Sequence, residues 1–287
     1  MMHWPKALVT ELASRRCIVF LGAGASAACQ SQDGKKNPPN WTHFLDLLMF
    51  HMKSRIDETI INEFKSKEKF LEAAEIIKKS VPSADFSTFI RKELVTPRYL
   101  QSKVHEYVLE IDPKVVVTTN YDEIYDNYCK NGSANEGYNV SRYYDRNIVE
   151  NLRSPVRLIV KAHGCVSDPS QIVLTKSEYF KARQSFSSFY KILDALFLTH
   201  TILFLGYSLT DPDIQLVLEN VNISVESAHP HYFVTGNNTN AAIKEAMKRA
   251  YNIEFIEFAA GDYDAFNDGL YELAESVKSN RIINPSV

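Results

Sequence analysis

The sequence predicts an α/β fold in which helices cover both faces of a doubly wound, mostly parallel sheet. The run CIVFLG at 17–22 is apolar and ends at a glycine, as a buried parallel strand does before a tight turn into a helix. Five further apolar runs follow along the chain, and helical hydrophobic patterns separate several of them. This alternation of strands and helices predicts a Rossmann-type sheet.

The five further runs are mostly continuous in hydrophobicity, which is typical of strands that are buried on both faces of a sheet. They are KVVVTTN at 114–120, VRLIVKAHG at 156–164, TILFLGYS at 201–208, HYFVTGN at 231–237 and IEFIEF at 253–258. Apolar residues at helical spacing lie between some of these runs, namely Phe186, Phe189, Leu193 and Leu196, then Ile214, Val217, Leu218 and Val221. Crossover helices would therefore connect parallel strands.

A polar loop and then a helical segment follow the first predicted strand. The stretch QSQDGKKNPPN at 30–40 is too polar to bury much apolar surface, so it predicts a loop. From Trp41 onwards the pattern becomes helical, for example at Phe70, Ala74 and Ile77, with Lys and Glu between these positions. This pattern indicates an all-helical module inserted between the first and second strands.

We expect the chain to form one domain over residues 1–287. The Rossmann-type core would comprise residues 1–37 and 113–287, and the helical insertion would comprise residues 38–112. A chain of this length, with a hydrophobic fraction of 45%, has enough apolar residues for a substantial core.

Charge and hydropathy limit the classes of function. The 32 Lys and Arg residues are balanced by 35 Asp and Glu residues, so a net charge of -3 creates no overall field that attracts nucleic acid. The first residues lack the apolar stretch of a signal peptide, and no run of eighteen apolar residues occurs. We therefore expect a cytoplasmic protein that binds neither nucleic acid nor membrane directly.

The four cysteines do not predict a metal site. Cys17, Cys29, Cys129 and Cys165 lie far apart, and no CxxC pair is present to begin a zinc site. We interpret them as reduced, structural thiols and expect no bound metal.

The first candidate site is the glycine-rich turn after the first strand, because ligands of doubly wound sheets bind beyond the carboxyl ends of the strands. Gly22 and Gly24 would let backbone N–H groups, including that of Ala23, approach a pyrophosphate near Ser26. A tight turn also needs glycine, so a purely structural role is the alternative. The dehydrogenase fingerprint is incomplete, since a third glycine is absent and Asp46 lies in a helical pattern.

Two other strand ends carry polar residues that suit chemistry. Asn120 and Asp122 follow the second predicted strand and could orient a ribose and a water molecule, although Asn120 could instead cap the next helix. His163 and Gly164 follow the third, where an imidazole could act as a base near neutral pH. A structural histidine is the alternative at this position.

The fourth strand end is Gly206-Tyr207-Ser208, which is followed by Asp211 and Pro212. Asp211 and Pro212 have the residue types of a helix N-cap and first helical position, so we interpret both as structural. Gly206 and Ser208 are expected to face the ligand cleft.

The four motifs together resemble those of sirtuins. GAGAS at 22–26, TTNYD at 118–122, KAHG at 161–164 and GYSL at 206–209 occur in the order of the sirtuin motifs GAG, T-x-N-x-D, HG and G-x-S. The resemblance is closer to the bacterial sirtuin-like proteins of antiphage defence, which carry a stretch like the one that begins here at Pro39. It implies a Rossmann-type fold and hydrolysis of NAD+ at the nicotinamide–ribose bond.

The resemblance also implies residue roles. Asn120 and His163 would be catalytic, and Asp122 would bind the ribose on the nicotinamide side. The residues that would bind the phosphates and the adenosine side are Gly22, Ala23, Gly24, Ser26, Gly206, Ser208 and Asn237. NAD+ would be the substrate, and no metal would take part.

Other functions remain as alternatives. A protein deacylase is disfavoured, because the G-I-P-D-F-R segment and the four-cysteine zinc module of true deacylases are missing. A non-catalytic sensor of NAD+ or ADP-ribose derivatives is disfavoured by the presence of both Asn120 and His163. An NAD-dependent dehydrogenase is the weakest alternative, because the glycine fingerprint is incomplete.

An NAD+ hydrolase must be controlled, since constant activity would kill its host. The chain offers no evident sensor domain, so we expect control by self-assembly into a homo-oligomer or by a separate protein. The resemblance suggests a HerA-class ATPase translocase or an Argonaute-like protein as that partner.

Overall fold

The computed structural model describes residues 2–54, 57–131, 137–208, 212–224 and 229–283. Within these ranges the chain forms a seven-stranded sheet in which every pair of neighbouring strands is parallel. Helices pack on both faces of the sheet, so the predicted α/β fold is confirmed. Asp211, the predicted helix cap before Pro212, lies outside the described residues.

The strand order is β3-β4-β2-β1-β5-β6-β7, so β1 lies at the centre of the sheet between β2 and β5. The loop after β1 is therefore flanked by the loops after β2 and β5, which is where doubly wound sheets bind ligands. The strands are β1 Cys17–Leu21, β2 Val115–Thr118, β3 Tyr138–Arg142, β4 Arg157–Lys161, β5 Thr201–Leu205, β6 His231–Gly236 and β7 Ile253–Phe258.

Strand β3 was not predicted, whereas the other six strands coincide with the apolar runs. It lies at the edge of the sheet beside β4 and has the sequence YNVSR, in which Asn139 and Ser141 interrupt the apolar residues. An edge strand needs no continuous apolar run, because it has a neighbour on one side only. The pairing of Val140 with Ile159 fixes its register.

Alternate residues of β1 enter two separate apolar clusters, one on each face of the sheet. Val19 and Leu21 pack in one cluster with residues of the helices Lys6–Ala13, Lys103–Ile111 and Tyr263–Ile283. Ile18 and Phe20 pack in the other cluster with residues of the helices Lys176–Ser185, Ser187–Thr199 and Pro212–Ser224. Burial on both faces explains why the strand is apolar throughout.

The helices connect the strands as crossovers or extend the chain on either face. Their bounds are α1 Lys6–Ala13, α2 Ala23–Ala27, α3 Trp41–Met49, α4 Glu58–Ser66, α5 Phe70–Ser80, α6 Ser83–Ile90, α7 Lys103–Ile111, α8 Ile124–Asn131, α9 Ile148–Arg153, α10 Lys176–Ser185, α11 Ser187–Thr199, α12 Pro212–Ser224, α13 Ala241–Tyr251 and α14 Tyr263–Ile283. Among the described parts of the chain, none of these helices has both the length and the hydrophobicity needed to cross a membrane.

The helical segment between β1 and β2 divides into two parts. Helices α3 to α6 form an apolar cluster of their own, which also includes Cys165 and Leu174 from the segment after β4. Helix α7 instead packs Val104, Val108 and Ile111 in the same cluster as β1. We propose that α3 to α6 are the inserted module and that α7 belongs with the sheet, although the predicted insertion extended to residue 112.

Asp112 connects three parts of the chain near the N-terminal end of β4. It ends α7 in the left-handed conformation, with a φ of 55°, and its carboxylate pairs with Arg15 and Arg157. Arg281 of α14 donates to the backbone oxygen of Asp112 at 3.2 Å. Burial favours the neutral carboxyl, but the hydrogen bonds from Arg157 and Arg15 outweigh it and hold the pKa of Asp112 below its usual value.

Asp112→Asn is expected to destabilise the fold by roughly 2 kcal/mol at neutral pH, because charged hydrogen bonds to two arginines are lost. Asparagine tolerates the left-handed conformation, so the change isolates the charge. The depressed pKa means that the carboxylate stabilises the fold above its unfolded pKa, and this contribution disappears as the pH falls through the folded pKa. Urea unfolding should show that the difference in free energy of unfolding between variant and wild type is smaller at acidic pH than at pH 7. A difference that does not depend on pH would contradict this role.

Candidate functional site

The loops after β1 and β5 are packed against each other backbone to backbone. The N–H of Gly22 donates to the oxygen of Leu205 at 3.0 Å, and the N–H of Gly24 donates to the oxygen of Gly206 at 2.7 Å. A Cβ on Gly22 would lie 2.4 Å from the oxygen of Gly206, and a Cβ on Gly206 would lie 2.2 Å from the nitrogen of Ala25. These glycines are therefore required by contact between the two loops.

This packing bears on the expected phosphate site. The amides of Gly22 and Gly24 are hydrogen-bonded within the protein, so they could bind a phosphate only if these bonds opened. Ala23 is exposed between them, at the start of the five-residue helix α2. The assignment of these residues to phosphate binding stays a prediction; Ala23 and Gly24 are exposed, whereas Gly22 is buried.

A hydrogen-bond network joins the loop after β2 to the loop after β1. Asn120 Nδ2 donates to the oxygen of Gly22 at 3.0 Å and to Ser26 Oγ at 3.2 Å. Ser26 Oγ in turn donates to Asp122 Oδ2 at 3.1 Å. Thr118 Oγ1 donates to the oxygen of Leu21 at 2.8 Å and accepts from the N–H of Asn120, which orients the turn. The structure thus joins four predicted site residues, Gly22, Ser26, Asn120 and Asp122, in one hydrogen-bonded network.

The network decides between two interpretations of Asn120. The side chain of Asp122 caps α8, because its Oδ1 accepts from the N–H of Ile124 at 3.0 Å. The side chain of Asn120 crosses instead to the glycine-rich turn. Asn120 is therefore not the helix cap, and its half-buried amide lies between the two motif loops.

A buried lysine stabilises the loop after β2. Lys161, at the end of β4, is 1% exposed; its Nζ lies 3.4 Å from Asp126 Oδ2 and donates to the backbone oxygen of Asp122. Burial disfavours its charge, but Asp126 and the other nearby acidic groups outweigh this effect and raise the pKa of Lys161. The lysine therefore stays protonated and fixes the position of the Asp122 backbone.

The same lysine bears on a possible metal site. Among the described residues, ligand atoms of Glu123, Asp126 and Cys165 lie within 4.8 Å of one another. The ammonium group of Lys161 already lies beside this cluster, and Cys165 Sγ donates to Glu123 Oε1 at 3.2 Å. A protonated lysine supplies the positive charge that a metal would bring, so the cluster fits a buried ion-pair network.

His163 lies two residues beyond β4, in register with Asn120 beyond β2, because Thr118 and Lys161 pair in neighbouring parallel strands. It is 3% exposed, and its Nδ1 lies 3.3 Å from the hydroxyl oxygen of Tyr179. Its backbone oxygen accepts from the N–H of Val173 at 3.1 Å, which closes the chain after β4 into a loop. His163 and Asn120 thus follow adjacent strands at the same edge of the sheet.

The closed loop after His163 explains Gly164. Its φ is 86°, and a Cβ there would lie 2.4 Å from the backbone oxygen of Gln171. Tyr121 makes a second hydrogen bond to the same loop, since its hydroxyl donates to the oxygen of Val173 at 2.8 Å. The loops that carry Asn120 and His163 are therefore joined through Val173.

Helix α2 is also held from the side of α7. Ser102 Oγ donates to the oxygen of Ala25 at 2.8 Å, and the N–H of Ser102 donates to His105 Nδ1 at 3.1 Å. Burial lowers the pKa of His105 to about 4, so this imidazole is neutral and can accept that hydrogen bond. The glycine-rich turn therefore rests on a buried polar contact as well as on β5.

A groove of about 590 Å³ begins just beyond α2. Its wall is formed by the predicted loop, which is hydrogen-bonded to α2 through Asn37, whose Nδ2 donates to the oxygen of Cys29 at 2.8 Å. The groove contains none of the predicted site residues; it is lined by Lys35, Lys36, Asn37, Pro38, Pro39, Asn40, His43, Leu47, Lys92, Glu93 and Tyr99. Burial, together with the charges of Glu93 and Asp122, raises the pKa of Tyr99 to about 12.

Two predicted residues lie away from the network. Asn237 follows β6, and its Oδ1 accepts from the N–H of Ala260 at 3.1 Å, so its side chain holds the turn after β7. Ser208 is exposed beyond Gly206, where the described segment ends. Their assignment to the adenosine side stays a prediction.

Sequence reasoning missed Tyr179 and gave no role to Lys161. Tyr179 lies on α10, 16 residues after His163, and nothing in its local pattern distinguishes it from other core aromatics. Lys161 does carry a signal, because a lysine that ends an otherwise apolar strand must be buried with a partner.

Comparison with known protein families finds a match over part of the chain. The model of the SIR2-like domain family matches residues 114–256, which include Asn120, Asp122, His163 and Gly206. The NAD(+) hydrolase ThsA of Acinetobacter baumannii is 22% identical over 302 aligned residues, which cover 96% of this chain and 56% of that protein. The chain thus spans about half the length of this relative.

Two further relatives match a shorter part of the chain. The NAD(+) hydrolase ThsA of Enterococcus faecium is 29% identical over 135 residues, which cover 46% of this chain and 28% of that protein. Defense-associated sirtuin 2 of Bacillus subtilis is also 29% identical over 135 residues, covering 46% of this chain and 13% of that protein.

Proposed function

We propose that this chain, whose residues 114–256 match the SIR2-like domain family, is a sirtuin-like protein that hydrolyses NAD+ to nicotinamide and ADP-ribose. The observation that carries the proposal is the hydrogen-bonded network of Ser26, Asn120 and Asp122, which joins two motif loops at the carboxyl edge of the sheet. The ThsA relatives of this chain are named as NAD(+) hydrolases, which supports the same proposal.

Cleavage of the nicotinamide–ribose bond expels neutral nicotinamide and leaves an oxocarbenium-like ribose. The protein must hold the ribose, stabilise positive charge and deliver one water molecule to one face. Asp122 supplies a carboxylate at this edge, and the amide of Asn120 lies between Gly22 and Ser26. We assign the positioning of ribose and water to Asn120 and the acceptance of a proton to His163.

The binding roles follow the positions of the loops. Ala23 and its neighbours Gly22, Gly24 and Ser26 would bind the phosphates, and Gly206 and Ser208 would border the adenosine side. Asn237 would contact the adenosine ribose from the end of β6, through the part of its amide that does not bind Ala260. With these roles, the proposed NAD+ site would extend along the carboxyl ends of β1, β2, β4, β5 and β6.

His163→Ala and Asn120→Ala are each expected to lower kcat for NAD+ cleavage by about 10²–10⁴, because each removes a group that acts on the ribose or the water. Release of nicotinamide, followed by chromatography with purified protein, measures this directly. Because we expect the activity to be controlled by a partner, the assay is run with the protein alone and with the product of the neighbouring gene added.

Matched controls separate chemistry from folding. His200→Ala changes a histidine that precedes β5, at the N-terminal ends of the strands and away from the candidate site. Asn139→Ala changes an asparagine of β3, the outermost strand of the sheet. Both should keep wild-type turnover. Full turnover in His163→Ala and Asn120→Ala would reject the assigned centre, whereas binding of NAD+ without turnover in any condition would favour the sensor alternative.

The deacylase alternative predicts a different product. A deacylase would release nicotinamide from NAD+ only when an acetylated peptide is present, and it would produce O-acetyl-ADP-ribose. We propose that nicotinamide release by this chain does not depend on such a peptide.

We further propose that the chain is the NAD+-depleting effector of a bacterial antiphage defence system. The support is the resemblance of the motifs and the name of the defence-associated relative. Control would come from assembly into a homo-oligomer or from a separate protein such as a HerA-class translocase. Measurement of molar mass in solution, with and without that protein, would test the assembly.

A further inference from the structure

Tyr179 of α10 lies beside the imidazole of His163. Its hydroxyl oxygen lies 3.3 Å from Nδ1, and the two rings meet edge to face with centroids 4.9 Å apart. Both residues are buried, at 5% and 3% exposure. A polar contact between two buried side chains is directional, so it constrains the imidazole.

The position of Tyr179 is itself fixed at the start of α10. Thr175 and Glu178 form a capping box, in which Glu178 Oε2 accepts from the N–H groups of Leu174 and Thr175, each at 3.0 Å. The other carboxylate oxygen of Glu178 lies 2.6 Å from Lys78 Nζ of the helical module. The first turn of α10 is therefore held on both sides, and the tyrosine is aimed at His163.

The contact has two possible proton arrangements. If the tyrosine hydroxyl donates to Nδ1, the proton of the neutral imidazole lies on Nε2, which then cannot accept another proton. If Nδ1–H donates to the tyrosine oxygen, Nε2 carries no proton and can act as a base. Because Nδ1 is directed at Tyr179, we assign the acceptance of a substrate proton to Nε2.

We propose that Tyr179 is a positioning residue that accepts a hydrogen bond from His163 Nδ1–H and so holds His163 in the tautomer whose Nε2 is the base. The inference rests on the proposed NAD+ hydrolysis for its consequence in catalysis. A similar partner on the second nitrogen orients histidines in other catalytic and metal sites. Protonation of Nε2 leaves the Nδ1–H···O bond in place, so the same contact also stabilises the imidazolium.

Tyr179→Phe tests the proposal, because phenylalanine keeps the ring contact and removes only the oxygen. We expect kcat for NAD+ cleavage to fall about 10- to 100-fold, a typical cost of removing a group that orients a functional histidine. KM should change by less than about twofold, because Tyr179 is buried and is proposed to act through His163. Tyr143→Phe is the matched control: Tyr143 is buried in the same apolar cluster, and its hydroxyl donates to the oxygen of Gln171 at 3.0 Å.

A second measurement reads the tautomer without any turnover. ¹⁵N NMR of histidine-labelled full chain, at a pH where the imidazole is neutral and with the His163 signals identified by their loss in His163→Asn, shows which nitrogen carries the proton. We expect Nδ1–H in the wild type and in Tyr143→Phe, and a shift towards Nε2–H in Tyr179→Phe.

The two measurements separate the outcomes. Nε2–H in the wild type, or an unchanged tautomer in Tyr179→Phe, overturns the proposal whether or not the chain cleaves NAD+. Absence of turnover in the wild type overturns the proposed function alone, and the NMR result then still decides the role of Tyr179. An equal loss of kcat in Tyr143→Phe and Tyr179→Phe would also reject the proposal, since it would reflect core packing.

Discussion

Lys161→Met is expected to lower the free energy of unfolding by about 3–5 kcal/mol, because it leaves the buried carboxylate of Asp126 without its partner. Lys161 is 1% exposed, and its Nζ lies 3.4 Å from Asp126 Oδ2. An uncompensated charge in this environment is far more costly than the loss of an exposed ion pair. Urea unfolding of the variant and the wild type measures the difference.

The double variant Lys161→Met, Asp126→Leu separates the charge from the rest of the site. Removal of both charges leaves apolar side chains of similar size, so most of the lost stability should return. If the double variant were as unstable as Lys161→Met, the cost would lie in packing, and the ion-pair explanation would be wrong.

Recovery of stability should not bring full recovery of activity. Lys161 also donates to the backbone oxygen of Asp122, and methionine cannot replace that hydrogen bond. We expect the double variant to cleave NAD+ about 10- to 100-fold more slowly than the wild type, because small displacements of positioning groups are costly in catalysis. Equal turnover would show that the Asp122 loop is held without Lys161.

The parts of the fold that follow from the sequence are those with a strong local pattern. Six of the described strands coincide with apolar runs in the sequence, and most of these strands are buried on both faces of the sheet. The apolar run by itself therefore predicts the strand. Strand β3 could not be predicted, because its contacts are with β4 and its own sequence alternates with polar residues. Pairing at an edge is a property of two segments, which one segment does not encode.

The candidate site shows the same limit. Asn120 and His163 were found because each follows an apolar run, and a strand end marks the carboxyl edge of the sheet. Whether Asn120 or Asp122 caps α8 depends on where the neighbouring glycine-rich turn lies, so it required the structure. The role of Tyr179 could not be predicted from the sequence, because its contact with His163 depends on how α10 packs near the end of β4.

The glycine-rich turn was predicted, but its physical reason was incomplete. The sequence suggested that Gly22 and Gly24 make room for a phosphate, whereas in the structure they make room for the backbone at Gly206. The two explanations are compatible, because a loop fixed against β5 can still present Ala23 to a ligand. The contact between the loops nevertheless imposes a requirement of its own, and it can be tested by substitution.

Gly206→Ala is expected to destabilise the fold by about 2–5 kcal/mol, which combines the left-handed strain of an alanine with overpacking. The φ of Gly206 is 62°, and the added Cβ would lie 2.2 Å from the nitrogen of Ala25 and 2.6 Å from the carbonyl carbon of Gly24. Both of these are backbone atoms, so no side-chain rotation can relieve the overlap. NAD+ cleavage should fall with stability, because the turn that carries Ser26 must shift.

Two matched variants separate the strain from the overlap. Gly261 has a φ of 85° and no atom within 4 Å of its Cβ position, so Gly261→Ala should cost only the conformational term, about 1–2 kcal/mol. Gly22 has a negative φ of -101°, but its Cβ would lie 2.4 Å from the oxygen of Gly206, so Gly22→Ala isolates the overlap. If urea unfolding showed Gly206→Ala to be as mild as Gly261→Ala, the loops after β1 and β5 would be free to separate, and the amides of Gly22 and Gly24 would then be available to a phosphate.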